Sequence, residues 1–125
     1  MLGGVFIKKY NKEKGDEGES IACNYLINNN YRILERNFKT NLGEIDIIAK
    51  KDKCICFIEV KLRNYSYYGK GVEAVNYAKQ KHIVNVAKQY ILFNKIKNIE
   101  IRFDVIELTR YHGRFYGKHY KKMIG

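Results

Sequence analysis

The sequence predicts an α/β domain in which a mixed central sheet is flanked by helices. Three observations carry this. Two segments place apolar residues at helical spacing, and four others alternate or run as short apolar stretches, in the order α-β-β-β-α-β. The chain has 125 residues, 46% of them hydrophobic, which suits one domain with its own core spanning residues 1–125.

Residues 1–13 are basic and poor in core signals, and read as an N-terminal arm. Residues 16–28 (DEGESIACNYLIN) read as a helix. Acidic residues crowd its positive end, and Ile21, Ala22, Tyr25 and Leu26 form an apolar stripe. Asn28-Asn29-Asn30 is a stop signal. Residues 31–38 form a weakly alternating strand, while 43–49 (GEIDIIA) and 54–62 (CICFIEVKL) are stronger ones joined by a KKDK turn. Residues 63–71 are a loop rich in Tyr, Gly and basic residues. Residues 73–93 form a long amphipathic helix with Val75, Ala78, Ile83, Val86, Ala87, Tyr90 and Ile91 on its apolar side. In 100–108, Ile101, Phe103, Val105 and Leu108 alternate against Arg102, Asp104 and Ile106. The tail 110–125 is basic and aromatic and has no assigned element.

Lys and Arg number 24 against 13 Asp and Glu, a net charge of +11. Such a surface concentrates phosphate-bearing partners, nucleic acid first and an acidic membrane second. No apolar run approaches the roughly 18–20 residues of a membrane helix, and the N-terminus lacks a signal-peptide pattern, so a cytoplasmic protein is expected. Three cysteines make a disulfide framework unexpected. Cys54 and Cys56 face one side of a strand and read as small core residues rather than half a zinc site.

The informative charges are the few acids set against the trend. Asp46 and Glu59 interrupt apolar strands, where a charge is costly without a partner. A hairpin turning at Lys51-Asp52 puts Glu44 opposite Glu59 and Asp46 opposite Phe57. Glu44, Asp46, Glu59 and Lys61 then share one face. Gathered carboxylates need a cation, and oxygen ligands suit Mg²⁺ or Mn²⁺. Lys61 supplies a positive group beside them, suited to stabilising an attacking hydroxide or a charged phosphate. Glu19, on the first helix, is a further carboxylate, and Gly15 and Gly18 allow that helix close to the sheet.

Asp46 followed 13 positions later by Glu59-Val60-Lys61 resembles the (P)D-(D/E)xK nuclease motif, with Ile45 in place of the proline. The strings KGDEGESIACNYL (14–26), RILERNFKTNLGEIDIIAKKD (32–52), CFIEVKLRN (56–64), GKGVEAVNYAKQKHIVNVAKQYI (69–91) and IRFDVIEL (101–108) are similar to the YraN-like family of bacterial proteins. These are predicted endonucleases of the PD-(D/E)xK superfamily, similar to archaeal Holliday junction resolvases. The resemblance covers about 14–108 and implies a restriction-endonuclease-like fold. It implies Asp46 and Glu59 as metal ligands, the Val60 backbone completing the shell, Lys61 as the catalytic lysine, and Glu19 and Gln80 as assisting polar groups.

The expected function is a Mg²⁺- or Mn²⁺-dependent DNA endonuclease, selective for branched or structured DNA. Arg36, Lys39, Arg63, Lys70, Lys79 and Lys81 are the expected phosphate contacts. Tyr65, Tyr67 and Tyr68 offer stacking surfaces for unpaired bases. The rival readings are a non-catalytic nucleic-acid-binding protein and an accessory subunit on a nuclease-like fold. A homodimer is expected by analogy with resolvases.

Overall fold

A computed structural model describes residues 2–9, 17–64 and 77–122. The elements run β1 (Leu2–Lys9), α1 (Glu17–Asn28), β2 (Arg32–Thr40), β3 (Gly43–Lys51), β4 (Cys54–Asn64), α2 (Tyr77–Phe93), β5 (Glu100–Tyr111) and β6 (Arg114–Lys121). The six strands form one sheet in the order β1-β6-β5-β4-β3-β2. Among the described strands, only β4 and β5 pair in parallel. A parallel pair needs a crossover, and α2 lies in that connection.

The expected α-β-β-β-α-β series is present, with a strand added at each end. The arm expected over residues 1–13 contains β1. The unassigned tail contains β6, which returns from β5 through a turn at His112-Gly113 (φ 49° and 74°). Each strand finds its partner in the other: β1 lies at the sheet edge against β6. Two adjacent glycines and two lysines in LGGVFIKK obscure its alternation, and its pairing partner lies more than a hundred residues away.

Both sheet faces are covered. Ile21, Ala22, Cys23 and Leu26 of α1 pack with Ile47, Ala49, Cys56, Ile58, Ile106, Leu108 and Phe115. Ile83, Val86, Ala87 and Tyr90 of α2 pack with Ile45, Ile48, Ile55 and Phe57. Val75 and Ala78 of the expected stripe lie outside the described side chains. Strand β5 departs from its expected pattern, because it is central and loaded on both sides. Ile106 and Leu108 are fully buried beneath α1, Ile101 is exposed, and Asp104 and Glu107 are buried.

The β3–β4 hairpin turns at Asp52-Lys53, pairing Lys51 with Cys54 and Ile48 with Phe57. The turn expected at Lys51-Asp52 is therefore one position off. Asp52 takes the left-handed conformation (φ 53°) that closes it. Gly43 (φ 149°) opens β3 where its α-carbon lies against α2; a Cβ there would stand 3.4 Å from Val86 Cγ2.

Candidate active site

The β3–β4 pairs run from Lys51↔Cys54 to Ile47↔Ile58 and stop there. The next residues are Asp46 and Glu59. Instead of a further backbone pair, the Val60 N–H donates to Asp46 Oδ2 at 2.8 Å. The carboxylate thus occupies the place where the two strands part.

Strand phase also changes at Asp46. Alternation would put Ile45 and Ile47 on one face. Ile45 packs instead in the α2 cluster and Ile47 in the α1 cluster. The neighbouring strand carries a matching irregularity. Asn37 has φ 52°, and adjacent residues Arg36 and Asn37 both reach Glu19 on α1. Val60 packs with the α1 cluster, so Glu59 and Lys61 lie on the α2 side of β4. The simple shared face expected for Glu44, Asp46, Glu59 and Lys61 gives way to a junction at the end of a ladder.

Burial lifts the Asp46 carboxyl from 3.8 to about 6, against the Val60 N–H, which favours its charged form. Repulsion from Glu59, Glu19 and Glu44 adds to the rise, so the fields of all three reach Asp46. Glu19 is held in place: its Oε1 accepts from Arg36 Nε at 3.2 Å and Asn37 Nδ2 at 3.0 Å. Arg36 Nη2 also donates to Ser20 Oγ. Arg36, expected as a phosphate contact, is committed to orienting Glu19.

Lys61 is half-buried, and its partner in the parallel ladder is Glu107. Glu107 is 5% exposed, and Arg63 Nε lies 3.1 Å from its Oε2. Arg63 therefore also has a carboxylate beside it. Glu107 was not among the expected site residues. Its signal was the one that marked Asp46 and Glu59, an acid inside an apolar strand. Lys39 is exposed and pairs with Glu44 across the β2–β3 ladder. Gln80 and Lys79 lie in the first turn of α2 and Lys81 follows them, but their side chains are outside the described residues, as is Lys70 with Tyr65, Tyr67 and Tyr68.

Among the described residues, no three His, Cys, Asp or Glu side chains converge as a ready-made metal cage. What Asp46 and Glu59 could hold is a hard cation bound through one or two carboxylates, with water and substrate oxygens completing the shell. That is the usual manner of Mg²⁺. The donor chemistry suits it: the atoms are oxygens, and Asp46 Oδ2 meets the neutral Val60 N–H while three carboxylates repel it.

Cys54 and Cys56 do share a side, with Sγ atoms 3.9 Å apart. Cys56 is buried and Cys54 half-buried. His82, near the expected apolar stripe, is exposed.

Residues 18–108 match the family described as uncharacterised protein family UPF0102. A UPF0102 protein of Clostridium botulinum is 49% identical over 102 residues, covering 82% of this chain and 84% of its own length. One from Clostridioides difficile is 50% identical over 98 residues, covering 78% and 86%. One from Clostridium tetani is 50% identical over 102 residues, covering 82% and 84%. The matched span runs from the first turn of α1 through Leu108 on β5, and so takes in Glu19, Asp46, Glu59, Lys61 and Glu107; the chain belongs to the UPF0102 family, whose YraN-like sequences it resembles.

Proposed function

We propose that this protein is a divalent-metal-dependent DNA endonuclease of the PD-(D/E)xK type, hydrolysing phosphodiester bonds in branched or structured DNA. The observation that carries the reading is the Asp46 carboxylate at the open end of the β3–β4 ladder, followed directly by Glu59-Val60-Lys61 on the other strand. A chain of net charge +11 has little reason to crowd acids onto a half-buried aspartate unless a cation joins them.

Asp46 and Glu59, with the Val60 carbonyl, would hold Mg²⁺ or Mn²⁺. The ion would supply a water of lowered pKa and neutralise charge on the scissile phosphate. Lys61 orients that water and offers its ammonium to the developing negative charge. The Val60 N–H fixes the Asp46 carboxylate, and Arg36 and Asn37 fix Glu19 behind it. Lys39 and the lysines at the start of α2 hold the flanking phosphates.

The test is cleavage of duplex, flap, fork and four-way DNA with Mg²⁺ or Mn²⁺ by purified protein beside Asp46→Ala and Lys61→Ala. Nicking by the wild type and not by the variants supports the reading. Equal cleavage by all three means a contaminant. No cleavage by any, with DNA still bound, leaves the non-catalytic binding module as the answer.

A further inference from the structure

We propose that the cleft beside the β3–β4 turn is a second site, one that binds a phosphate group with Arg102 as its central ligand. The cleft measures about 510 Å³ and lies at the opposite end of β4 from Glu59 and Lys61. Cys54 lines it, so the two sites stand about 20 Å apart along the strand.

Arg102 is held more firmly than surface arginines are. Its Nε and Nη2 donate to Asp104 Oδ1 and Oδ2, both at 2.8 Å, and Nη2 also donates to the Tyr31 hydroxyl at 2.6 Å. Asp104 is itself buried, and its Oδ2 lies 2.7 Å from His119 Nε2. His119 Nδ1 lies 2.8 Å from the Tyr25 hydroxyl on α1. With the proton on Nε2, the imidazole donates to Asp104 and accepts from Tyr25, so both of its nitrogens are used. Four side chains, Asp104 on β5, His119 on β6, Tyr25 on α1 and Tyr31 just before β2, thus fix one guanidinium.

This arrangement uses Nε and Nη2 and leaves Nη1. Among the described residues, no acceptor takes the two Nη1 hydrogens, while Arg102 lines the cleft. An arginine buttressed on one edge presents the other at little entropic cost on binding. The surrounding charges favour an anion. Lys51 stands over the Tyr31 ring at 5.1 Å, and Lys53 and Lys121 line the same cleft. The half-buried charged residues in its lining, Lys51, Arg102 and Lys121, are all cationic. The two acids, Asp52 and Glu100, are exposed, where solvent screens them. The Tyr31 ring is covered by Lys51 and Arg102 and offers no stacking face to a base. Recognition is therefore of the phosphate, whether on a small molecule or at the end of a nucleic-acid strand. It does not depend on the nuclease reading.

Inorganic phosphate is the probe, titrated against chloride at constant ionic strength. Two quantities are read: the thermal midpoint, and the alkylation rate of Cys54, the one half-buried thiol of three. Phosphate should raise the midpoint saturably and slow Cys54 alkylation several-fold. Lys51→Gln combined with Lys53→Gln should raise the half-saturating concentration tenfold or more while leaving the protein folded in chloride. Arg102→Lys should do the same, if its midpoint in chloride shows it folded. Chloride matching phosphate, or the double variant keeping the full response, overturns the proposal. A 5′-phosphorylated oligonucleotide preferred over its 5′-hydroxyl form assigns the phosphate to a strand end. Equal binding of the two, with the response to free phosphate intact, assigns it to a small molecule.

Discussion

The Val60 amide hydrogen points at the Asp46 carboxylate, 2.8 Å away, at the position where β3 and β4 stop pairing. One backbone donor thereby steers the acid that burial and three neighbouring carboxylates resist charging. Asp46→Asn keeps an acceptor for Val60 and removes the charge. The folded carboxyl titrates near 6 and the unfolded one near 3.8, so between these values the folded state binds more protons and stability falls as pH rises. Above pH 6 the ionised group opposes folding. The Asn variant should melt higher than wild type above pH 6, and the gap should close below pH 4. Melting curves across pH 4–8 without divalent ions check this; a variant that melts lower throughout would contradict it.

The same substitution should reverse rank when metal is added. Mn²⁺ at millimolar concentration should raise the wild-type midpoint by binding the folded state, and should leave Asp46→Asn unmoved. A wild-type midpoint insensitive to Mn²⁺ and Mg²⁺ would remove Asp46 from the metal role.

Lys39 and Arg36 should separate in a salt titration of DNA binding. Lys39 is exposed and free to approach a phosphate, while Arg36 is bonded to Glu19 and Ser20. Lys39→Gln should lower the log–log salt slope by about 0.9, and Arg36→Gln by distinctly less. Equal losses would show that Arg36 leaves Glu19 to meet DNA.

The site was legible where local chemistry was enough. Asp46 and Glu59 stood out as charges in apolar runs, and the one-position error in placing the turn shifted every β3–β4 pair by two, an even number that leaves the relative facing of the paired residues unchanged as far as Ile47 and Ile58. The phase change at Asp46 was not legible, since it accompanies a left-handed Asn37 on the adjacent strand that no local pattern announces. Neither were the roles of Asp104 and His119. Asp104 read as the polar side of an alternating strand, and His119 lay in an unassigned tail. Each is buried because its partner comes from another element, with Tyr25 lying 94 positions from His119. Glu107 could have been found by the rule applied to Asp46, had the strand been recognised as central.

Two glycines predict opposite outcomes. Gly18 was expected to allow α1 close to the sheet, and a Cβ there meets Leu108 and Leu62 at 3.6 Å, an ordinary contact that leaves room for alanine. Gly18→Ala should stabilise the protein by about 0.5–1 kcal/mol through helix propensity. Gly43 has a φ of 149°, and a Cβ there presses Val86 at 3.4 Å. Gly43→Ala should destabilise by about 1–3 kcal/mol. Urea midpoints of the two variants, at unchanged slope, measure both.

Asp104 should dominate the acid side. Burial opposes its charge, but the bonds to His119 and Arg102 outweigh it and hold the carboxyl below the usual range. A depressed folded value gives stability that is complete above the unfolded value near 3.8 and is lost as pH falls through the folded one. This is the opposite sign to Asp46, so relief at Asp46 on acidification is followed by loss at Asp104. Asp104→Asn leaves Arg102 and His119 facing a neutral amide, and should cost about 3–5 kcal/mol at pH 7, the range for removing one member of a buried ion pair. The penalty should shrink at the lowest pH at which the wild type still folds. A variant as stable as wild type at pH 7 would mean that the Arg102–Asp104–His119 chain contributes nothing to holding α1 on the sheet.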